Sequence, residues 1–144
     1  MAHFEYSIND GKLEITNSQN NEIVFSDKPL GYSVIQIVPD PEGTLCAVLL
    51  SYKEGPKLYP GGPMKAFDNL ICVNNQGTMI WRSKVPGSGV DFFTNIRLSN
   101  EICSEALASM IELNENKIVA NCSSGFVVQI DWETGMIEKK SFFK

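Results

Sequence analysis

The sequence predicts an all-β fold of antiparallel strands, and three observations carry this prediction. Residues 4–8 and 12–16 alternate apolar and polar side chains, as a strand with one buried face does. Asn9-Asp-Gly11 between them is a strong hairpin turn sequence, because Gly and Asn tolerate the positive φ that such turns need. Residues 45–50 are apolar on both faces, which is typical of a central strand covered on both sides.

The rest of the chain alternates short β-like runs with turns rich in Asn, Gly, Pro and Ser. These runs predict strands at residues 22–25, 33–38, 45–51, 68–73, 78–83, 109–113, 117–122, 125–131 and 136–142. Ser99 or Asn100 is a suitable cap for a short helix near 100–108. We expect no other helix.

Three segments share one layout, a strand, a polar turn and a second strand. They are residues 13–25, 70–81 and 127–138, and they recur at a spacing of about 57 residues. We interpret them as one structural unit used three times within a single domain of residues 1–144. The units are residues 3–26 with three strands, 33–84 with a long loop at 52–67, and 109–143.

The last unit resembles a blade of the quinoprotein-type or WD-repeat-type β-propellers. Ser123-Ser-Gly125 matches the middle turn of such a blade, and Asp131-Trp-Glu-Thr-Gly135 matches its outer turn. Gly77-Thr-Met-Ile-Trp81 matches the outer turn and the closing Trp in the unit before it. The resemblance implies antiparallel, four-stranded, propeller-like blades.

The chain has material for fewer than three such blades, whereas closed propellers usually have at least four. We therefore expect an open half-propeller with at most one short helix and with exposed strand edges. Quinoprotein enzymes hold a quinone and calcium inside a much larger, complete propeller, so we expect no cofactor. The resemblance implies no particular function, because propellers host very different activities.

Composition points to an ordinary globular domain. The 144 residues carry a net charge of −5, which disfavours binding to nucleic-acid phosphates. Because the sequence begins without an export-signal pattern and lacks a membrane-spanning run, we expect a cytoplasmic protein without disulfides. Cys46, Cys72 and Cys122 fall in or beside apolar strands, where a free thiol behaves as a small buried hydrophobe.

Catalytic patterns are scarce in the sequence. The single histidine, His3, stands near the terminus, and there is neither a phosphate-binding loop nor a nucleophile elbow. Asp40 with Glu42 leaves a carboxylate pair for glycoside hydrolysis open, although that segment looks first like a turn. We therefore expect a binding protein and not an enzyme, with no bound metal.

Eight residues are our candidates for contact with a partner protein. They are Asp40, Glu42, Glu54, Tyr59, Phe67, Asp91, Trp132 and Glu133. The acidic members, together with Glu138, suit a negatively charged face. Tyr59 and Phe67 flank the Pro/Gly-rich loop and are equally suited to an interface or to folding back as a plug in the blade.

The overall profile resembles that of bacterial immunity proteins, including those of contact-dependent growth inhibition. Such proteins are small, acidic, cytosolic and free of catalytic motifs, and they cover the active site of a toxin domain. The resemblance implies a basic partner such as a nuclease toxin, attracted by complementary charge. Two alternatives stay open: a homodimer that closes a ring through its open edges, and a carbohydrate-binding or hydrolytic propeller fragment.

Overall fold

The computed structural model describes residues 3–55, 66–86, 90–99 and 116–142. Within these ranges it has eleven strands and two single-turn 3₁₀ helices, at Pro29–Gly31 and Tyr52–Glu54. The strands are β1 Phe4–Asn9, β2 Lys12–Asn17, β3 Glu22–Asp27, β4 Val34–Pro39, β5 Leu45–Leu50, β6 Leu70–Asn74, β7 Met79–Ser83, β8 Phe93–Leu98, β9 Ile118–Cys122, β10 Phe126–Ile130 and β11 Ile137–Phe142. The predicted all-β fold is confirmed. No helix in the described part of the chain is long and apolar enough to cross a membrane.

The strands form three antiparallel sheets. Sheet 1 has the order β1-β2-β3, sheet 2 the order β4-β5-β6-β7, and sheet 3 the order β8-β9-β10-β11. Each strand therefore pairs with its neighbour in sequence, which needs only short or looped connections within a sheet. The tight turn at Asp10 and Gly11, with φ of 53° and 75°, joins β1 to β2 as the sequence predicted.

The first strand of sheet 3 differs from the prediction. Phe93–Leu98 fills the place that we assigned to residues 109–113, which lie outside the described residues, as does the predicted helix at 100–108. A register shift between Phe93 and Asn95 inserts one extra residue in β8. The buried side chains Phe93 and Ile96 are consequently three positions apart, so the two-residue period that marks a strand is broken.

Two apolar layers hold the three sheets in a stack. Cys46, Val48 and Leu50 of β5 pack in the layer shared with sheet 1, while Ala47 and Leu49 pack in the layer shared with sheet 3. Sheet 2 is thus covered on both faces, which explains why residues 45–50 have no polar face. The buried Cys46, Cys72 and Cys122 are free thiols in these layers, as predicted.

The last hairpin of each sheet, β2–β3, β6–β7 or β10–β11, has a β-bulge at the equivalent position, which supports the repeat found in the sequence. In each sheet, two residues pair directly and the following pair is shifted by one residue. The direct pairs are Ile15 with Phe25, Cys72 with Trp81, and Gln129 with Lys139. Because a bulge raises the local twist of a hairpin, its recurrence gives the three sheets a common shape.

An aromatic ring from one sheet rests on a glycine of the next sheet at both joints of the stack. Phe25 of β3 covers Gly77, and Trp81 of β7 covers Gly135. Both glycines have a positive φ, +82° and +74°, and a Cβ on either would collide with the ring above it. Trp81 therefore packs between sheet 2 and sheet 3.

Asn69 ties sheet 2 to sheet 3 with polar bonds inside the core. Its Nδ2 donates to the carbonyl oxygens of Leu50 and Phe93, each at 2.9 Å, and its Oδ1 accepts from the Phe93 amide at 2.7 Å. These three bonds pair both the Nδ2 and the Oδ1 atom of a fully buried side chain, and they fix the position of sheet 3 relative to sheet 2.

Candidate functional site: an acidic cleft between two sheets

Four of the eight candidate residues meet in one cleft of about 420 Å³. The cleft lies between the β4–β5 turn of sheet 2 and the β10–β11 turn of sheet 3. Its lining consists of Asp40, Pro41, Glu42, Thr44, Leu45, Asn116, Trp132 and Glu133. We call it the acidic cleft, because three of these residues carry a carboxylate and none carries a positive charge.

Asp40 shapes the wall that sheet 2 contributes. Its Oδ1 accepts from the Thr44 amide at 2.9 Å and its Oδ2 accepts from the Thr44 hydroxyl at 3.1 Å. The Gly43 amide donates to the Asp40 carbonyl at 3.0 Å, while the Gly43 carbonyl accepts from the Tyr6 hydroxyl at 2.7 Å. These bonds fix the turn and leave Glu42 exposed at its tip.

Asp131 shapes the opposite wall in the same way. Its Oδ2 accepts from the Thr134 amide at 3.1 Å and from the Thr134 hydroxyl at 2.9 Å, and its Oδ1 accepts from Lys117 Nζ at 3.2 Å. Burial alone raises the pKa of Asp131, but the bonds from Thr134 and Lys117 outweigh it and bring the pKa below its usual value. The side chain thus stays ionised and keeps the turn in place.

Both the side chain and the main chain of Trp132 are hydrogen-bonded. Its indole Nε1 donates to the Asn116 carbonyl at 2.8 Å, and its own carbonyl accepts from the indole Nε1 of Trp81 at 2.6 Å. Its ring is half-buried and packs at the rim of the core between sheets 2 and 3. Part of its surface lines the acidic cleft.

The acidic cleft offers chemistry suited to a cation. Glu42 and Glu133 are exposed on its two walls, with the half-buried indole of Trp132 beside Glu133. A carboxylate attracts an ammonium or guanidinium group, and an indole face binds the same groups through its quadrupole. An Arg or Lys side chain therefore matches both features of this lining.

Glu54, Phe67 and Asp91 lie at the opposite end of the sheets, so the described acidic candidates do not form the single negatively charged face that we expected. The β4–β5 turn precedes β5, whereas Glu54 follows it, so a whole strand separates Glu54 from Asp40. Glu54 Oε1 accepts from the Ser33 amide at 3.0 Å, which lowers the pKa of Glu54. Its contacts show a role in local structure.

Phe67 and Asp91 are buried, so a partner cannot reach their side chains. Phe67 is 1% exposed and packs on Gly55 and on the ring of Tyr32, and it thus plugs the end of the sheets. Asp91 is fully buried and accepts from the hydroxyls of Ser123 and Ser124 at 3.0 and 2.9 Å, which fixes the β9–β10 turn. Tyr59 lies outside the described residues.

Asn116 and Lys117 belong to the site but escaped the sequence prediction. Asn116 has a φ of 50° and supplies the carbonyl that orients Trp132, and Lys117 Nζ also lies 3.3 Å from Glu138 Oε1. The sequence does carry a signal for the first, because Asn is one of the few residues that tolerate positive φ in a turn. Nothing in the sequence signals the ion pairs.

The grouping of His, Cys, Asp and Glu side chains bears on whether the described residues could hold a metal ion. Among residues 3–55, 66–86, 90–99 and 116–142, no three His, Cys, Asp or Glu side chains are grouped to hold a metal ion. His3 is exposed. The carboxylates of Asp40 and Asp131 both serve as acceptors for a threonine in their own turn.

Comparisons with known proteins support the fold. No protein-family model and no curated protein matches the sequence. Among solved structures, BamB from Moraxella catarrhalis is similar with a TM-score of 0.53 and 11% sequence identity. The match covers 96% of this chain and 32% of the BamB chain, so this chain spans about one third of BamB. BamB has a β-propeller-like fold of the quinoprotein type, and the chain therefore has a propeller-like all-β fold.

Proposed function

We propose that this chain is a non-catalytic protein-binding domain whose acidic cleft receives a basic side chain of a partner protein. The observation that carries the proposal is the convergence of Asp40, Glu42 and Glu133 beside Trp132 on two walls from different sheets. The walls are fixed by hydrogen bonds within their own turns, so the backbone that carries Glu42 and Glu133 is positioned before a partner arrives. Such preorganisation lowers the entropy lost on binding.

The expected partner is basic around the residue that enters the cleft. The chain as a whole carries −5, which steers a positively charged protein toward it and raises the association rate. An arginine stacked on an indole and bonded to a carboxylate contributes about 1–3 kcal/mol to a complex when water is excluded. Raised salt weakens this steering, because the charges act across solvent.

At finer detail, we propose that the partner is a bacterial toxin domain such as a basic nuclease, and that the chain is its immunity protein in the cytoplasm. Nucleases are positively charged where they grip phosphates, so an acidic binder can occupy that surface. The net charge and the acidic cleft support this assignment. The profile resemblance noted in the sequence adds to it.

The homodimer that closes a ring has less support. Such a ring needs an apolar outer face on sheet 1, since subunit interfaces bury mostly apolar surface. That face lies opposite the one that carries Leu13 and Ile15. By strand alternation it exposes the polar side chains of Glu5, Ser7 and Ser26 and one large apolar side chain, Ile23, so most of it is polar. We therefore favour a different protein as the partner.

The test is affinity capture with the tagged chain from lysate of its source cells at low salt, followed by mass spectrometry. We expect one basic partner of toxin-domain size, released by raised salt. The double variant E42K/E133K should lose this partner, because it reverses the charge of both exposed carboxylates. The purified partner should cut nucleic acid, and the wild-type chain should stop it.

The matched control is E5K/E22K, which makes the same change in net charge on exposed positions of sheet 1. This variant should keep the partner, since it leaves the acidic cleft intact. If both double variants lose the partner equally, only net charge matters and the cleft is not the site. A captured partner without toxic activity removes the immunity assignment and leaves protein binding standing.

A further inference from the structure

A groove of opposite charge lies on the other side of the β10–β11 turn. Residues 132 and 133 of this turn line the acidic cleft, whereas its next residues line a concavity of about 390 Å³ beside the end of β7. The lining of this concavity is Arg82, Lys84, Val85, Thr134, Gly135, Met136 and Ile137. A second concavity of about 340 Å³ shares Ile137 and extends along β11 over Pro86, Glu138, Lys139 and Lys140. Together they form what we call the basic groove.

The floor of the basic groove is apolar. Val85 and Ile137 are half-buried and pack against the core between sheets 2 and 3. Met136 next to them is 69% exposed, the highest exposure among the large apolar side chains of the described residues. A thioether this exposed, beside other apolar groups, is typical of surfaces that bind varied apolar side chains.

The walls of the basic groove carry a third of the positive charges of an acidic chain. Four of its twelve Lys and Arg residues stand here, at positions 82, 84, 139 and 140. The single carboxylate in the lining is Glu138, whose Oε1 lies 3.3 Å from Lys117 Nζ. Arg82 Nε donates to the Asp68 carbonyl at 2.7 Å, and the Asp68 carboxylate accepts from the Val85 amide at 2.9 Å, so the positive charge of the groove comes mainly from Lys84, Lys139 and Lys140.

Protection of a sheet edge explains only part of this arrangement. β11 is the last strand of sheet 3, and lysines on an edge strand discourage pairing with other chains. That accounts for Lys139 and Lys140. β7 is likewise the last strand of sheet 2, so the same argument covers Arg82 and Lys84. It does not account for the apolar floor formed by Val85 and Met136.

We propose that the basic groove binds an extended segment of a partner protein in which an apolar side chain is flanked by Asp or Glu. The apolar side chain packs on Val85, Met136 and Ile137, and the flanking carboxylates meet Lys84 and Lys140. Charge complementarity selects this class of segment over neutral or basic ones. The groove lies apart from the acidic cleft, so this proposal does not depend on the proposed function.

The test uses labelled peptides of about twelve residues and fluorescence anisotropy. One peptide alternates Leu with Asp and Glu; a second has Asn and Gln in place of the acids, and a third has Lys. We expect the acidic peptide to bind at least about tenfold more tightly than the amide peptide, and raised salt to reduce the difference. Equal binding of the acidic and amide peptides, or no binding of the acidic one, overturns the proposal.

Variants then locate the site. K84E/K140E should weaken binding of the acidic peptide by about tenfold or more, because it reverses two exposed charges of the lining. Met136→Ser should weaken this binding by a few-fold, because it removes one apolar contact. K12E/K53E makes the same charge change at exposed positions elsewhere and should retain binding. The cleft variant E42K/E133K should also retain it. Unchanged binding by K84E/K140E, with thermal unfolding like that of the wild type, overturns the proposal.

Discussion

The two joints between neighbouring sheets are built alike but held differently. At the first joint the ring of Phe25 covers Gly77, and at the second the ring of Trp81 covers Gly135. Only the second aromatic side chain carries a hydrogen-bond donor, and its indole Nε1 bonds the Trp132 carbonyl at 2.6 Å. The Ser83 hydroxyl adds a bond to the Gly135 carbonyl at 2.8 Å.

The second joint positions one wall of the acidic cleft in addition to stacking two sheets, which the first joint does not. At the first joint the contact of the ring with Gly77 is apolar, and the hydrogen bonds between sheet 1 and sheet 2 lie elsewhere, from the Tyr6 hydroxyl to the Gly43 carbonyl and from the Val34 amide to the Gly11 carbonyl. The additional bonds at the second joint fix the orientation of the β10–β11 turn, which supplies Trp132 and Glu133 to the acidic cleft. A binding residue held by such supporting contacts keeps its geometry before a partner binds.

The largest expected effect comes from removing the ring at the second joint. Trp81→Ala should lower the free energy of unfolding by about 3–5 kcal/mol, because it leaves a large cavity and an unpaired carbonyl at Trp132. Phe25→Ala should cost less, since Phe25 is half-buried and its ring has no hydrogen-bond donor. Urea unfolding followed by circular dichroism gives both values. Equal losses would show that the hydrogen bonds at the second joint contribute nothing.

A smaller effect should follow from adding one methyl group beneath the Trp81 ring. In Gly135→Ala the new Cβ would lie 2.5 Å from ring atoms of Trp81, in addition to the strain of a φ of +74°. We expect a loss of about 2–4 kcal/mol by chemical denaturation.

The matched control for this variant is Gly31→Ala. Gly31 has a φ of +84°, and beyond its chain neighbours no atom lies within 4 Å of the place that a Cβ would take. Its substitution therefore measures backbone strain alone, at about 1–2 kcal/mol. A Gly135→Ala cost no greater than that of Gly31→Ala would mean that the ring moves freely and that the joint is loose.

The smallest expected effect is a pH dependence that only the second joint has. Asn74 Oδ1 accepts from the Thr78 amide in the turn after β6, whereas Asp131, 57 residues later in the repeat, takes the equivalent place in the turn after β10. The folded-state pKa of Asp131 is lowered, so its stabilising contribution is complete above the unfolded pKa of about 3.8. It is lost as the pH falls through the folded-state pKa.

Comparing the wild type with Asp131→Asn isolates this contribution. Between pH 7 and pH 3 the wild type should lose more stability than the variant, by about 1 kcal/mol or less, because the side chain is partly exposed. Unfolding by urea at a series of pH values provides the comparison. Parallel pH profiles for the two proteins would remove Asp131 from this role.

Local signals in the sequence were sufficient for much of the fold. Asp10 and Gly11 have the φ values that their turn sequence predicts, and residues 45–50 form the strand that is buried on both faces. β8 was missed because its bulge breaks the two-residue period between Phe93 and Ile96. A bulge depends on pairing with another strand, and the sequence of one strand does not encode it alone.

The site was predicted only in part, because it depends on how distant turns meet. Glu42 and Glu133 line one cleft although 91 positions separate them, and that proximity follows from the stacking of sheet 2 on sheet 3. Charge alone did not distinguish them from Glu54, at the opposite end of the sheets. Asp91 looked like a surface carboxylate, but its two serine partners make it part of the core.

The most direct test of the acidic cleft is hydrogen–deuterium exchange of the chain with and without its captured basic partner. We predict that the amides of residues 40–45 and 131–135 exchange more slowly in the complex than in the free chain, since both walls of the cleft would then be covered. Slowed exchange confined to residues 52–55 and 90–92, at the other end of the sheets, would contradict the proposal. It would move the binding surface away from the acidic cleft.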